Sequence, residues 1–275
     1  MNGSDFAKGT AVVTGASSGI GAIYADRLAR RGYDVVLVAR DKARLEALAE
    51  RLQRAHAIAA TPWRADLDAP DEIDALAERL RTDRDIAMLV NCAGLGPSGK
   101  VLDVDPRALD RLVRLNVDAL HTLSVVAAGS FASRRRGAIV NIASVVALMQ
   151  ERFNASYVGA KAFVLGFSQA LAAEVEPQGV RVQAVLPGFT RTELFGRAGV
   201  DIGVIPVSMM MDAGEMVDAA LAGFDLGETV TIPSLDARNL WDELERARQA
   251  LTPHLSKDRA AARYGAHALE REIAR

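Results

Sequence analysis

The sequence is poor in cysteine and has almost no net charge. Cys92 is the only cysteine among 275 residues, so no internal disulfide can form, and a reducing compartment is expected. The 33 basic and 35 acidic residues leave a net charge of −2, too little to gather nucleic acid or acidic membranes. The stretch from Met1 to Gly9 carries no signal pattern. We therefore expect a cytoplasmic protein that binds a small molecule.

Long apolar runs and metal-ligand spacings are also missing. No apolar run approaches the ~20 residues that a membrane span needs. The four histidines have no spacing with one another or with carboxylates that is typical of a metal site: His56, His121, His254 and His267. Ser144 does not stand in a Gly-x-Ser-x-Gly turn, which argues against a serine hydrolase. We expect no metal and no hydrolase nucleophile.

The residues that are present alternate between short β-branched runs and helical stretches. Strands are predicted near 11–14, 35–38, 58–66, 86–90, 138–142, 180–186 and 229–232. Helices are predicted between them, including long ones at 106–132 and 154–176. Continuous apolar strands alternating with helices predict an α/β fold, a single doubly wound parallel sheet of about seven strands with helices on both faces. We assign 1–275 to one domain, with a flap at 189–215 and a helical C-terminal tail at 236–275.

A glycine-rich turn, Thr-Gly-Ala-Ser-Ser-Gly-Ile-Gly at 14–21, joins the first strand to the first helix. Gly15 permits a tight turn, and Gly19 lets the backbone approach phosphates. Gly21 lets the helix pack closely on the strand, and the helix N-terminus offers N–H donors to anions. The turn therefore predicts the site of a dinucleotide pyrophosphate.

Tyr157 and Lys161 stand four residues apart on a predicted helix, so their side chains share one face. A tyrosine near its ordinary pKa of ~10 is a poor acid or base at neutral pH. A neighbouring cation stabilises the phenolate and lowers that pKa, which suits proton transfer. Ser144, at the end of the fifth strand, can face Tyr157 across the same cleft. This constellation predicts general acid/base chemistry.

The turn resembles the TGxxxGxG motif of the short-chain dehydrogenase/reductase family, and Tyr157 to Lys161 resembles its YxxxK motif. The segment Asn-Cys-Ala-Gly at 91–94 resembles the family's NNAG, and Pro-Gly at 187–188 its PG motif. The resemblance covers about residues 9–192. It implies a Rossmann-type oxidoreductase and a catalytic tetrad: Asn116, Ser144, Tyr157 and Lys161.

The resemblance also implies a role for each tetrad member. Ser144 holds the substrate oxygen on which charge builds, and Tyr157 gives or takes the proton. Lys161 lowers the Tyr157 pKa and binds the nicotinamide ribose, while Asn116 maintains a water that relays protons to Lys161.

The end of the second strand indicates which cofactor is used. Ala39 stands where an NAD-type member has an acid, and Arg40, which follows, suits a 2′-phosphate. NADP(H) is therefore favoured over NAD(H). Asp66 and Leu67 are expected beside the adenine, and Asn91 and Gly94 beside its ribose. The full implied set is Gly15, Ser17, Ser18, Gly19, Ile20, Gly21, Arg40, Asp66, Leu67, Asn91, Ala93, Gly94, Tyr157, Lys161, Pro187, Gly188, Thr190 and Thr192.

The predicted function is NADP(H)-dependent reduction of a carbonyl, or oxidation of an alcohol, on a hydrophobic substrate. Its apolar wall would come from Leu95, Val145, Leu148, Phe153, Phe189, Leu194, Phe195 and Met209, Met210 and Met211. A 3-oxoacyl-thioester reductase of the same family is the alternative, although only Arg191 and Arg197 offer positive charge near the flap. A non-catalytic NADP(H)-binding protein is a third reading. The resemblance further implies a homodimer or homotetramer.

Overall fold

One parallel sheet of seven strands organises the chain. The computed structural model describes residues 9–96, 99–197, 203 and 205–264, without the side chain of Phe195. The strands are β1 Thr10–Thr14, β2 Asp34–Ala39, β3 Ala60–Arg64, β4 Ile86–Asn91, β5 Gly137–Ile142, β6 Val180–Val185 and β7 Val230–Thr231. Their order is β3-β2-β1-β4-β5-β6-β7, and every pair is parallel. The predicted doubly wound α/β sheet is confirmed.

The central strands are buried on both faces, as their apolar sequences predict. Val12 of β1 lies opposite Val36 of β2 and Leu89 of β4, and all three side chains are buried. The strand order reverses between β1 and β4, which leaves a crevice at the carboxyl ends of the strands. That crevice is where the predicted site residues lie.

Helices cover both faces of the sheet. Residues up to 234 form α1 Gly19–Arg30, α2 Lys42–His56, α3 Pro70–Thr82, α4 Pro106–Val113, α5 Ala119–Ser133, α6 Ala155–Val175, the short α7 Leu194–Arg197 and α8 Ala213–Asp225. A further helix, α9 Arg238–Ala250, follows in the C-terminal part of the chain. One buried cluster joins α1, α2 and α8 to the sheet, and a second joins α3, α5 and α6 to it. The apolar stripes of these helices therefore bury themselves against opposite faces.

Several elements differ from the sequence-based expectations in extent; β3, for example, covers Ala60–Arg64 and not the predicted 58–66. The helix predicted at 106–132 is α4 and α5 joined by a π-helical turn, Arg114–Asp118. Such a turn is rare and covers a single helical turn, so apolar periodicity over the whole segment does not single it out. Strand β7 is also shorter than the predicted 229–232, because only two of its residues pair with β6.

The chain divides into two compact units, residues 1–234 and 235–275. The sheet, the glycine turn and the tetrad all lie in the first unit. In the second, α9 is followed by short turns, and the leucines of the predicted apolar stripe are about half exposed or more: Leu240, Leu244, Leu251 and Leu255. The assignment of the whole chain to one domain stays a prediction.

Residues Ala155–Gln178 have the length and mean hydropathy, 1.2, of a candidate membrane span. Half of that window is buried inside the fold, where α6 packs on the sheet through Leu171 and Val175. This is the pattern of a core helix.

A methyl group at Gly21 should destabilise the glycine turn. A Cβ there would overlap the Gly15 carbonyl, whose carbon would lie 2.7 Å away. We expect Gly21→Ala to lower the free energy of unfolding by about 1–3 kcal/mol, as overpacking does. Gly129→Ala is the matched control, because a Cβ at that helical position meets no atom within 4 Å. It should raise stability by about 0.5–1 kcal/mol. Urea denaturation measures both, and equal effects would contradict the packing argument.

Candidate active site

The glycine turn has the backbone geometry that its sequence predicts. Gly15 and Gly19 have φ angles of +69° and +53°, which favour glycine. A Cβ on Gly15 would lie 2.9 Å from the Ala93 nitrogen, so the turn and the loop after β4 approach too closely for any side chain. Ser17, Ser18 and Ile20 are partly exposed around the start of α1. The bare backbone and the helix N-terminus fit a pyrophosphate.

Thr14 ties the turn to the loop after β4. Its hydroxyl accepts hydrogen bonds from the N–H groups of Cys92 and Ala93, at 3.0 Å each. Burial raises the pKa of the Cys92 thiol to about 12, so it is not a thiolate nucleophile at neutral pH. The Cys92 side chain packs, partly buried, against the cluster that joins α1, α2 and α8 to the sheet.

The side chain of Asn91 is held inside the fold. It is buried, and its amide donates hydrogen bonds of 2.9 Å to Ser124 of α5 and to Asn141 of β5. These bonds give the amide nitrogen two partners at the end of an interior strand, where an unpaired donor would be costly. The expected place of Asn91 beside the adenosine ribose stays a prediction.

The expected adenosine end has an exposed arginine. Arg40 directly follows β2 and its side chain is exposed. Asp41 caps α2, because its carboxylate accepts the N–H of Arg44 at 3.0 Å. Asp66 is partly exposed, whereas Leu67 belongs to the buried cluster beneath α3. The aspartate that follows Arg40 thus has a structural role of its own.

Ser144 and Tyr157 meet at the end of β5. The hydroxyl of Ser144 donates to the Pro187 carbonyl at 3.4 Å and accepts the Val146 N–H at 3.3 Å. Burial raises the pKa of Tyr157 to about 12, and a hydrogen bond with Ser144 opposes this rise. The sequence-based expectation of a lowered Tyr157 pKa is therefore corrected. Desolvation is the largest cause of the shift, and Lys161 Nζ lies 5.7 Å from the centre of the Tyr157 ring.

Lys161 is buried, with 7% of its surface exposed. Its Nζ donates to the Ile142 carbonyl at 2.9 Å. Burial lowers the pKa of this ammonium to about 8. A group that titrates so near neutrality can release or take up a proton with little cost.

Asn116 lies in the π-helical turn, and its amide is held on one side only. Its Nδ2 donates to the carbonyls of Leu95 and Leu112, at 3.0 and 2.9 Å. Its buried Oδ1 has no hydrogen-bond partner among the described residues. A Cβ at Gly94 would lie 2.7 Å from that oxygen and 3.8 Å from Lys161 Nζ. The partnerless oxygen of Asn116 therefore lies close to both Gly94 and Lys161. A buried acceptor of this kind is expected to bind a hydrogen-bond donor.

The segment after β6 closes the other side of the crevice. Thr190 is buried and its hydroxyl donates to the Gly188 carbonyl at 3.1 Å. A parallel bridge pairs Thr190 with Met211 and so joins the two ends of the predicted flap. Pro187 accepts from Ser144, and Thr192 lies against Gly19. The implied PG segment therefore touches both the glycine turn and the tetrad.

Every residue of the predicted substrate wall can be located except the side chain of Phe195, and most of them are partly buried. The rings of Phe153 and Phe189 lie 6.3 Å apart, and Leu194 lies beside Gly96. Met209 is exposed. The side chain of Phe195 and flap residues 198–202 and 204 lie outside the described residues.

Asn154 is a residue that the sequence reasoning missed. Its Oδ1 accepts the N–H groups of Ser156 and Tyr157, and its Nδ2 donates to the Gly99 carbonyl at 2.9 Å. It therefore fixes the first turn of α6, and with it Tyr157, against the loop after β4. An asparagine immediately before a predicted helix was the available signal.

Comparison with known proteins places this site in a family. A model of the short chain dehydrogenase family matches residues 9–201. A short-chain dehydrogenase from Sphingobium yanoikuyae, solved with NADPH, is 48% identical, with a TM-score of 0.90, over 93% of this chain and 100% of its own. A bulky-bulky ketone specific alcohol dehydrogenase from Comamonas testosteroni is 44% identical, with a TM-score of 0.86, over 93% and 98%.

A 3-oxoacyl-[acyl-carrier-protein] reductase of Escherichia coli is 29% identical over 81% of this chain and 94% of its own. The chain belongs to the short-chain dehydrogenase/reductase family, as its motifs predict. It is an oxidoreductase that acts on alcohols or ketones with NAD(P).

The low pKa of Lys161 predicts a pH dependence of stability. An unfolded lysine titrates near ~10.4. Between pH 8 and 10 the unfolded chain therefore holds more protons than the folded one, and the free energy of unfolding rises with pH. Lys161→Met removes this titration. Between pH 7 and 10 the free energy of unfolding of the unsubstituted chain, measured with urea, should rise by about 2 kcal/mol more than that of the variant. Parallel pH profiles of the unsubstituted chain and Lys161→Met would refute the assignment to Lys161.

Proposed function

We propose that this protein is an NADP(H)-dependent oxidoreductase that moves hydride between nicotinamide and the carbonyl or hydroxyl carbon of a bulky, hydrophobic substrate. The observation that carries the proposal is the meeting of Ser144 with Tyr157 at the end of β5, in front of the buried Lys161. The glycine turn lies across the same crevice, joined to it through Thr14.

The residues present fit a dinucleotide. A Cβ on Gly15, Gly21 or Gly94 would collide with backbone or with Asn116, so these positions leave bare backbone where phosphates and riboses would lie. Arg40, exposed at the end of β2, would pair with a 2′-phosphate. The NADPH complex of the Sphingobium relative, 48% identical, supports the same preference.

When bound, the cofactor supplies or accepts the hydride. Tyr157, with a pKa of about 12, carries its proton at neutral pH. It donates that proton to the carbonyl oxygen as negative charge builds there, because an alkoxide is a stronger base than the phenolate left behind. Ser144 donates a hydrogen bond to that same oxygen and so stabilises the charge. After the transfer, the phenolate faces the buried ammonium of Lys161, which stabilises it electrostatically.

Lys161 would then supply a new proton to the Tyr157 phenolate. Its pKa of about 8 keeps it mostly protonated at neutral pH, yet close to the point of release. Asn116, whose Oδ1 lacks a partner, would hold a water that resupplies Lys161. Alcohol oxidation follows the reverse order of steps.

The substrate is proposed to be a ketone with two large apolar substituents. The apolar pair Phe153 and Phe189 supports this, as does the 44% identity to the Comamonas alcohol dehydrogenase, which is described as specific for bulky-bulky ketones. A 3-oxoacyl thioester is the second candidate, since the Escherichia coli acyl-carrier-protein reductase is 29% identical over most of its length. An intact tetrad argues against a non-catalytic role.

We further propose a cytoplasmic homodimer or homotetramer built through α5 and α6. Val125 of α5 and Phe163 of α6 are exposed, and Phe163 stacks on Phe167 with ring centres 5.5 Å apart. Exposed apolar side chains beside stacked rings are typical of a surface that another subunit covers.

Removing the Tyr157 hydroxyl should abolish turnover without preventing cofactor binding. Tyr157→Phe keeps the ring and loses the proton donor, so kcat for ketone reduction should fall about 10²–10⁴-fold. NADPH oxidation gives kcat, and NADPH fluorescence gives the Kd, which should stay within about twofold. Tyr264→Phe, at an exposed tyrosine, is the control and should be silent. Full activity of Tyr157→Phe would sink the proposed role.

Removing the Arg40 charge should weaken binding of NADPH and not of NADH. A charge-assisted hydrogen bond contributes about 1.5–3 kcal/mol, so Arg40→Gln should raise the Kd of NADPH at least tenfold. Arg54→Gln, at an exposed arginine farther along α2, should change neither Kd. Tighter NADH than NADPH binding by the unsubstituted chain would overturn the cofactor preference.

A further inference from the structure

Three consecutive residues after β6 cross the crevice. Thr192 lies against the glycine turn, 3.3 Å from an ideal Cβ on Gly19. Leu194 lies against the loop after β4, 3.5 Å from an ideal Cβ on Gly96. The hydroxyl of Thr192 accepts the Leu194 N–H at 3.3 Å, which fixes the turn between them. The segment 192–194 therefore forms a strap between the glycine turn and the loop after β4.

The middle residue of this strap is bound to the adenosine side of the crevice. One guanidinium nitrogen of Arg44 donates to both carboxylate oxygens of Glu193, at 2.8 and 3.1 Å. Arg44 is itself held on the first turn of α2, where Asp41 accepts its backbone N–H and lies 3.5 Å from its Nε. This ion pair joins residues 149 positions apart in the sequence. None of the motifs of the glycine turn or the tetrad contains either residue.

We propose that the Arg44–Glu193 ion pair is a latch that holds the strap across the crevice and slows release of the nicotinamide cofactor. The latch rests on the proposed cofactor function. Arg44 and Glu193 act as positioning residues, because they hold the strap and need not touch the cofactor. The strap spans the part of the crevice that NADPH and NADH share, so both cofactors should be retained by it.

The strength of the pair suits a latch that must open in every turnover. Its side chains are about half exposed, 48% for Arg44 and 51% for Glu193. Exposed ion pairs change equilibria by about 1.4- to 5-fold, and salt screens them. A buried pair would hold the cofactor too long. The parallel bridge between Thr190 and Met211 anchors the strap at its base, so opening at Glu193 leaves the rest of the segment in place.

The test compares cofactor release in charge-removing variants. Glu193→Gln and Arg44→Gln should each raise the dissociation rate of NADPH, followed by stopped-flow fluorescence, by about 2- to 5-fold at low salt. NADH should be released faster by the same factor in Glu193→Gln. The double variant should release the cofactor no faster than either single one. At about 0.5 M salt the difference from the unsubstituted chain should shrink.

Glu50→Gln is the matched control, because it removes an exposed carboxylate on α2 that pairs with Arg54 at 3.5 Å. It should leave release unchanged, and circular dichroism checks that each variant is folded. Unchanged release in Glu193→Gln, with NADPH still bound, overturns the latch alone. Slower release of NADPH from Glu193→Gln would also overturn the latch. It would mean that Arg44, once freed from Glu193, binds the 2′-phosphate. If the unsubstituted chain binds neither cofactor, the proposed function fails first.

Discussion

The arrangement of the rest of the site depends on one buried ammonium group. Lys161 is buried without a carboxylate partner among the described residues, and the Ile142 carbonyl at the end of β5 accepts a hydrogen bond of 2.9 Å from its ammonium. An unpaired charge of this kind is costly, which is why burial draws its pKa down to about 8. The end of β5, the π-helical turn that holds Asn116 and the bare backbone at Gly94 all surround this one group.

Close approach of backbones is the second requirement. The turn after β1 and the loop after β4 lie so near each other that Gly15 has no room for a Cβ, and Thr14 holds the two together through paired N–H donors. Gly21 lets α1 start directly above that contact. Glycine at these positions is therefore a requirement of packing, because a side chain would force the two backbones apart.

Sequence periodicity predicted the sheet because its interior strands are mostly apolar. The tetrad was implied by the resemblance of the motifs, because its residues stand at the spacing of the family. The direction of the Tyr157 pKa shift was predicted wrongly, because the extent of its burial depends on the tertiary structure. The partners of the Asn91 side chain could not be read from the sequence either, since Ser124 and Asn141 are 33 and 50 residues away.

By itself, then, the sequence determined the order of strands and helices, the glycine turn and the presence of a Tyr-x-x-x-Lys pair, because these depend on local spacing and on side-chain type. The tertiary structure alone decided which polar groups are desolvated, where the π-helical turn places Asn116, and that Glu193 meets Arg44 across the crevice. Those features arise where segments distant in the chain exclude water together. Burial and long-range charge pairing are properties of that assembled surface, and no local pattern of residues encodes them.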